Sequence, residues 1–374
     1  MKPLSFIIIG SGWRARFYIR IAKQYPEQFQ LAYLLCRREE KVDSIARELG
    51  IKTTTSKELS SGRSIERCLY MDSNAKSNRG SRNCGRIIRY AMAYSQSLHL
   101  NGRKSSERKV LFQIVNYKIQ SKTLPKEFDG FRIVHLSDLH GAVYGDKNKK
   151  LIQKIHEVRP QMIAMTGDMT DHSENSISGL IGLCGRLSKR YPVYYIPGNH
   201  EQCLEPKQLS QLLRKLESLG TIVLENSWCT ISYKGAFVKL YGLVMPMRYY
   251  KDPLRPGYAK NLYFSEEDTR KLLGEPDLSC YKILLSHNPL YYPSYRNWGA
   301  DLTLSGHIHG GIIRIPKLGG LLSPDMTFFP KYDGGLFTEK GKHLIVSRGL
   351  GNHFLIRIRN PEELVVVTLH HLYD

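Results

Sequence analysis

Cysteine is scarce and unpatterned in this chain: Cys36, Cys68, Cys84, Cys184, Cys203, Cys229 and Cys280 are odd in number and include no Cys-x-x-Cys pair. That excludes a disulfide framework and a cysteine-held structural zinc, and it suits reduced thiols in a cytoplasmic protein. Long hydrophobic runs are missing too, so no segment reads as a membrane span of about 20 apolar residues. The start, Met1 to Gly10, has too short an apolar core and no small-residue cleavage site, which argues against a signal peptide. Acidic residues are few, 34 against 55 Lys and Arg, for a formal net charge of +21. With 374 residues, 41% hydrophobic and 24% charged, the composition is that of a soluble globular protein long enough for two domains.

The excess charge is unevenly spread. Residues 1–108 hold 21 Lys and Arg against 9 Asp and Glu, a denser surplus than in the rest of the chain. A surface for nucleic acid or for peripheral contact with an anionic membrane is one reading; a solvated basic stretch is the plainer one. Between Ser61 and Arg108 the apolar pattern breaks down, and the run from Ser73 to Asn83 is polar and basic. Tyr70, Tyr90 and Tyr94 could stack on bases, but no nucleic-acid motif accompanies them, and the composition fits a disordered linker.

Ahead of this linker, Phe6-Ile7-Ile8-Ile9 reads as a buried strand running into Gly10-Ser11-Gly12-Trp13-Arg14-Ala15. A helical pattern through Phe17, Ile21 and Ala22 follows, then a strand at Leu31–Leu35 and an amphipathic stretch from Glu39 to Leu49. Strand, glycine turn, helix and strand form the context of a dinucleotide fingerprint, in which Gly10, Gly12 and Ala15 would let the backbone approach a pyrophosphate. Residues 4–60 resemble the N-terminus of the glucose–fructose oxidoreductase/inositol dehydrogenase family. The second strand, however, ends in Cys36-Arg37-Arg38 with no acidic residue for a ribose, and the family's lysine-bearing Glu-Lys-Pro segment has no counterpart. The expectation is therefore an incomplete Rossmann-like βαβ fragment with no working NAD(P) site.

From residue 109 onward the chain becomes coherent. An edge strand at Val115–Gln120 is followed by Ile133-Val134-His135-Leu136-Ser137-Asp138-Leu139-His140, an apolar run that ends in Asp-x-His. A helix at Lys149–Val158 and a strand at Met162–Met165 lead to Gly167-Asp168-Met169-Thr170-Asp171. A helix around Ile177–Leu187 and a strand at Val193–Ile196 lead to Gly198-Asn199-His200-Glu201. Ile283-Leu284-Leu285 ends in Ser286-His287, and Leu302-Thr303-Leu304 ends in Ser305-Gly306-His307-Ile308-His309-Gly310. Five times an apolar strand delivers Asp, Asn or His to its carboxyl end, which predicts a layered α/β architecture with the tips converging.

The residue types fit one chemistry. Two divalent ions about 3.5–4 Å apart clamp the attacking and leaving oxygens of a phosphoryl displacement. A bridging carboxylate with neutral imidazole and amide ligands suits Mn, Fe or Zn better than Mg or Ca. With no dedicated serine or cysteine nucleophile, direct attack by metal-bound hydroxide is the favoured route.

The ordered series Asp-x-His, Gly-Asp-x-x-Asp, Gly-Asn-His-Glu, a lone His and Gly-His-x-His resembles the calcineurin-like metallophosphoesterase superfamily over about residues 115–370. The segments 319–324, 329–335 and 347–351 look like its bacterial subgroup of membrane-associated phosphodiesterases, which act on lipid-linked pyrophosphates and often begin with an anchor not seen here. The resemblance implies a layered β-sandwich flanked by helices and two metal ions. Asp138, His140 and His309 would hold the first, Asp168 would bridge, and Asn199, His287 and His307 would hold the second. His200 would donate a proton or stabilise charge. Asp171 and Glu201 would orient neighbours, while His135, His172, His343, His370 and His371 fall outside the pattern.

The domain expectation is thus 1–60 a partial Rossmann-like fragment, 61–108 a basic linker and 109–374 a metallophosphoesterase domain. The leading function is dinuclear-metal hydrolysis of a phosphodiester or pyrophosphate. An NAD(P)-dependent oxidoreductase fragment and a nuclease or nucleic-acid-binding protein are the alternatives. A phosphoester is the expected partner molecule, and oligomeric state is not legible.

Overall fold

The computed structural model describes residues 112–171, 173–250, 262–311, 314–315, 319–320, 330–351, 357 and 360–373, together with the backbone of three strands nearer the N-terminus. The chain divides into two units, Met1–Ser106 and Glu107–Asp374. In the first, β1 (Leu4–Ile9), β2 (Phe29–Leu35) and β3 (Thr53–Thr54) pair in that order, all parallel. The first two strands fall where the apolar runs predict them. Gly10, Gly12, Ala15 and the basic stretch 61–108 lie outside the described residues, as does His172.

The second unit is built on two six-stranded sheets. The first contains β4 (Gln113–Ser121), β5 (Phe131–Leu136), β6 (Met162–Met165), β7 (Val193–Tyr195), β8 (Thr221–Val223) and a late strand, Glu363–His371. Strands β5 to β8 are parallel neighbours, and the late strand is inserted between β4 and β5, antiparallel to β5. β4 is the edge strand that its half-exposed alternation predicts. The second sheet holds β9 (Ser227–Tyr233), β10 (Ala236–Leu243), β11 (Lys282–Ser286) and β12 (Leu302–Ser305). After a small ribbon formed by β13 (Arg314–Ile315) and β14 (Gly319–Gly320), it is completed by β15 (Gly335–Glu339) and β16 (Lys342–Val346). The late strand of the first sheet is accordingly β17.

Period-two alternation explains the layers. In β17, Val365, Val367 and Leu369 face the second sheet's Leu240, Ile283, Leu285, Leu302 and Leu304 in one buried cluster. Leu364 and Val366, one register away, join the opposite cluster under the helices. Helices α1 (Lys149–Val158), α2 (Glu174–Leu187) and, beyond the single turn α3 (Asn199–Gln202), α4 (Pro206–Ser218) cover that outer face. The apolar positions Leu151, Ile152, Ile155 and Val158 form the stripe that docks α1. On the far side, α5 (Glu266–Leu273) and α6 (Tyr292–Trp298) cover the second sheet through an aromatic cluster of Tyr241, Tyr291, Tyr292, Tyr295 and Trp298. The order helix, sheet, sheet, helix is the expected flanked sandwich. Its consequence for function is that the carboxyl ends of β5, β6 and β7 meet those of β11 and β12.

Candidate metal centre

Each predicted site residue emerges from one of those five strand ends or from the turn that follows it. Asp138 and His140 follow β5, Asp168 follows β6, Asn199 and His200 open α3 after β7, His287 follows β11, and His307 and His309 follow β12. The structure brings the carboxylates and imidazoles into three overlapping groups: Asp138, His140 and His309; His140, Asp168 and His200; and Asp168, His287 and His307. Within each group the nearest side-chain nitrogens and oxygens lie within 4.8 Å of one another. Asp168 and His140 each belong to two groups.

The backbone is bent to achieve this. Asp138, His140, Asp168, His307 and His309 have φ of 52°, 44°, 53°, 69° and 54°, the left-handed region that residues with a Cβ avoid. Strain of about 1–3 kcal/mol at each such residue persists only where the surroundings over-determine it. Here hydrogen bonds do so. Asp138 N–H donates to Gly167 O at 3.0 Å, and His140 N–H donates to Asp168 O at 3.0 Å, tying the first loop to the second. His307 N–H donates to the Asp138 carboxylate at 3.1 Å, tying the first to the last.

Two of the motif glycines are required by close approach. A Cβ on Gly198 would collide with the Asp168 carboxylate, and one on Gly306 with Ser137 Oγ and Asp138 Oδ2. Glycine stands at both positions because a carboxylate occupies the space.

Glu201 is fully buried and accepts from four backbone N–H groups: Gly198 and Asp168 at 2.8 Å, Met169 at 2.7 Å and Thr170 at 3.0 Å. It orients the turns and not the histidines. Asp171 lies further out, accepting from Ser173 N–H at 3.0 Å and Ser173 Oγ at 2.6 Å at the start of α2.

The electrostatics follow from two carboxylates buried together. Burial, opposed by the charge of His287 and helped by that of Asp168, pushes Asp138 up to about 7. Burial also opposes charge on Asp168, but protonated His287, whose Nε2 is 3.1 Å from Asp168 Oδ2, holds that carboxyl well below its usual range. His287 in turn stays protonated up to about 9: burial works against it, and Asp168 and then Asp138 outweigh burial. The pair of carboxylates therefore demands positive charge between them.

The donor set answers the test of fit. His287 Nδ1 bonds Thr166 O at 2.6 Å, which turns Nε2 toward the carboxylates. Asn199 Oδ1 and His307 Nε2 are buried with no hydrogen-bond partner among the described residues. Two carboxylates, several imidazoles and an amide oxygen form a mixed nitrogen–oxygen shell suited to first-row divalent ions. His200 stands at the rim, its ring 4.6 Å from that of His140 and its Nε2 3.9 Å from Asp168 Oδ2.

Residues 131–311 match the family model described as Calcineurin-like phosphoesterase. Over those residues the chain is like a calcineurin-like metallophosphoesterase domain. It is a metal-dependent phosphoric ester hydrolase. Among relatives, the metallophosphoesterase YkuE of Bacillus subtilis is 27% identical over 265 residues, covering 69% of this chain and 86% of that one. Phosphodiesterase YaeI of Escherichia coli is 26% identical, covering 64% of this chain and 82% of its own. UDP-2,3-diacylglucosamine pyrophosphatase LpxG of Chlamydia muridarum is 25% identical, covering 65% and 86%. Among the described residues, no helix is long and apolar enough to cross a membrane.

Three residues that touch the candidate site carry no motif in the sequence. Asn360, buried before β17, donates from its amide to His309 O at 2.5 Å and Gly311 O at 2.7 Å, bracing the left-handed run 309–311. Arg357 places Nη2 3.1 Å from His309 Nδ1. The buried ring of Tyr250 lies 5.2 Å from that of His307 and 6.2 Å from that of His287. Four further described histidines are structural partners: His135 with Thr166 Oγ1 at 2.8 Å, His343 with Thr338 Oγ1 at 3.0 Å, His370 with Asp129 at 3.1 Å and His371 with Leu124 O at 2.6 Å.

Proposed function

We propose that the domain hydrolyses a phosphodiester or pyrophosphate bond at a dinuclear centre. What supports this reading is that Asp168 is grouped both with His140 and His200 and with His287 and His307, while His140 is also grouped with Asp138 and His309, so Asp168 stands where a bridging carboxylate would. Asp138, His140 and His309 would hold one ion, and Asn199, His287 and His307 the other. Manganese, iron or zinc fits this donor set. When bound, the ions supply Lewis acidity for the phosphoryl oxygens and lower the pKa of water.

The chain's own residues do the rest. Asp138 and Asp168 fix the charge balance, and their hydrogen bonds to the N–H groups of His307 and His200 hold the loops in register. His200, with its side chain 17% exposed, is the partly open imidazole of the groups and would face the substrate. Its ring would donate a proton to the leaving oxygen.

A pyrophosphate joined to a lipid is the substrate class favoured by the likeness to LpxG. Hydrolysis of an aryl phosphodiester beside the matching monoester tests the reading: faster diester turnover supports it, and turnover of the monoester alone contradicts it.

Residues 1–60 are read as an incomplete Rossmann-like fragment, supported by the parallel order of β1, β2 and β3. Residues 61–108 are read as a linker and 109–374 as the catalytic domain.

A further inference from the structure

A second concave site lies away from the metal ligands, on the helix layer outside the first sheet. Lys149, His156 and Glu157 of α1, Arg159 just after it, and Arg186 and Arg190 at the end of α2 line a groove of about 730 Å³. The one carboxylate, Glu157, is engaged by Lys154 at 2.6 Å and by Gln153 at 3.1 Å. Lys149 is paired with Asp146 at 2.8 Å. Among the described residues no carboxylate forms an ion pair with Arg159, Arg186 or Arg190.

Cations favour the carboxyl ends of helices, where the dipole is negative. One per helix end satisfies that preference, whereas three arginines from two helix ends line this one groove, Arg186 reaching its Lys147 end and Arg190 lying beside His156. Their heads are also partly fixed in place. Arg186 donates through Nε to Gly182 O at 3.0 Å and through Nη2 to Lys147 O, and Arg190 stacks 5.7 Å over the Tyr191 ring. Tyr191 in turn bonds His156 Nδ1 at 2.9 Å, so the floor of the groove is braced. Burial, and then the charge of Arg190, hold His156 below its ordinary range. A groove lined by several planar cationic donors, two of them held by neighbouring groups, matches an oxyanion, which guanidinium binds in bidentate fashion.

We propose that this groove binds a phosphate-type anion, the phosphoryl group either of free phosphate or of an anionic lipid head group. The site is distinct from the metal ligands. Arg186, on its lining, is tied to the carbonyl of Lys147, in the loop that joins His140 to α1.

The test uses the full-length, metal-loaded protein and the double variant Arg159→Gln, Arg190→Gln, which leaves the carbonyl contacts of Arg186 in place. Calorimetric titration with inorganic phosphate should show two sites per chain in the unaltered protein. In the variant, one site should remain and the other should weaken roughly tenfold, the effect of losing two exposed charge-assisted contacts. Hydrolysis of a soluble aryl phosphodiester and the thermal unfolding midpoint should be unchanged.

Flotation with phosphatidylcholine vesicles, with and without phosphatidylglycerol, distinguishes the sources. Binding that needs phosphatidylglycerol and is lost in the variant assigns the groove to a lipid head group. The loss of a second inorganic phosphate without vesicle binding assigns it to the free anion. Identical phosphate and vesicle binding by the two proteins overturns the proposal, as does a difference seen with oligonucleotides alone.

Discussion

Asp168 and Glu201 hold each other's turns: Asp168 N–H donates to Glu201 Oε2 at 2.8 Å, and the N–H of His200, beside Glu201, donates to Asp168 Oδ1 at 2.8 Å. The loop after β6 and the turn that opens α3 are thereby clasped in both directions. Replacing Glu201 by Ala removes the acceptor of four buried N–H groups. The expected cost is at least ~3 kcal/mol of stability, since each buried donor left unpaired costs about 1–3 kcal/mol. Chemical denaturation measures it, and a loss under ~1 kcal/mol would show that water replaces the carboxylate readily.

Gly198→Ala presses a methyl group onto the Asp168 carboxylate. Overpacking of this kind costs about 1–3 kcal/mol, and here it also displaces a proposed bridging ligand. Metal affinity should fall with activity. A variant with normal metal content and rate would mean that the two loops have slack.

Asp168→Asn should be the most damaging change among the ligands. It removes the carboxylate shared by two groups, and the expected outcome is loss of about one metal per chain with nearly all activity. Two metals retained at normal affinity would show that Asp168 is not the bridge.

His200→Ala should keep both metals and lose roughly 10²–10⁴-fold in rate, the range for one general acid. The loss should shrink for substrates with good leaving groups such as nitrophenolate, which depart unprotonated. An equal loss for good and poor leaving groups would leave His200 as a charge stabiliser, and loss of metal would make it a ligand.

Much of the fold is legible in the sequence itself. The run Met162–Met165 and the helix Lys149–Val158 have the predicted bounds, because a buried apolar run and an i, i+3, i+4 stripe are local signals. The candidate site residues stand out for a related reason: each motif is short and sits at a strand end. What was not legible comes from pairings remote in sequence. Nothing local in Glu363–His371 says that it inserts between β4 and β5, and nothing local in Ser227–Leu243 says that it closes the second sheet. Asn360 acts through two backbone carbonyls some fifty residues away, as does Tyr250 through two rings. Asparagine and tyrosine recur throughout the chain, so residue type alone gave no signal. The one refinement of role is Glu201, whose four N–H partners belong to turns.

A truncation beginning at Lys109 should fold, bind metal and keep its phosphoesterase rate, since each proposed ligand lies at or beyond Asp138. An insoluble or inactive product would make the first unit part of the enzyme. Calorimetry on the full chain should show no tight NAD(P) binding; a micromolar dissociation constant would revive the dehydrogenase reading.

The central claim is a two-ion phosphoesterase centre, and metal analysis coupled to chelation tests it most directly. The account predicts two divalent ions per chain, loss of aryl phosphodiester hydrolysis when a chelator removes them, and recovery when manganese, iron or zinc is returned. Full hydrolysis by protein stripped of metal would contradict it, as would full activity with a single ion per chain.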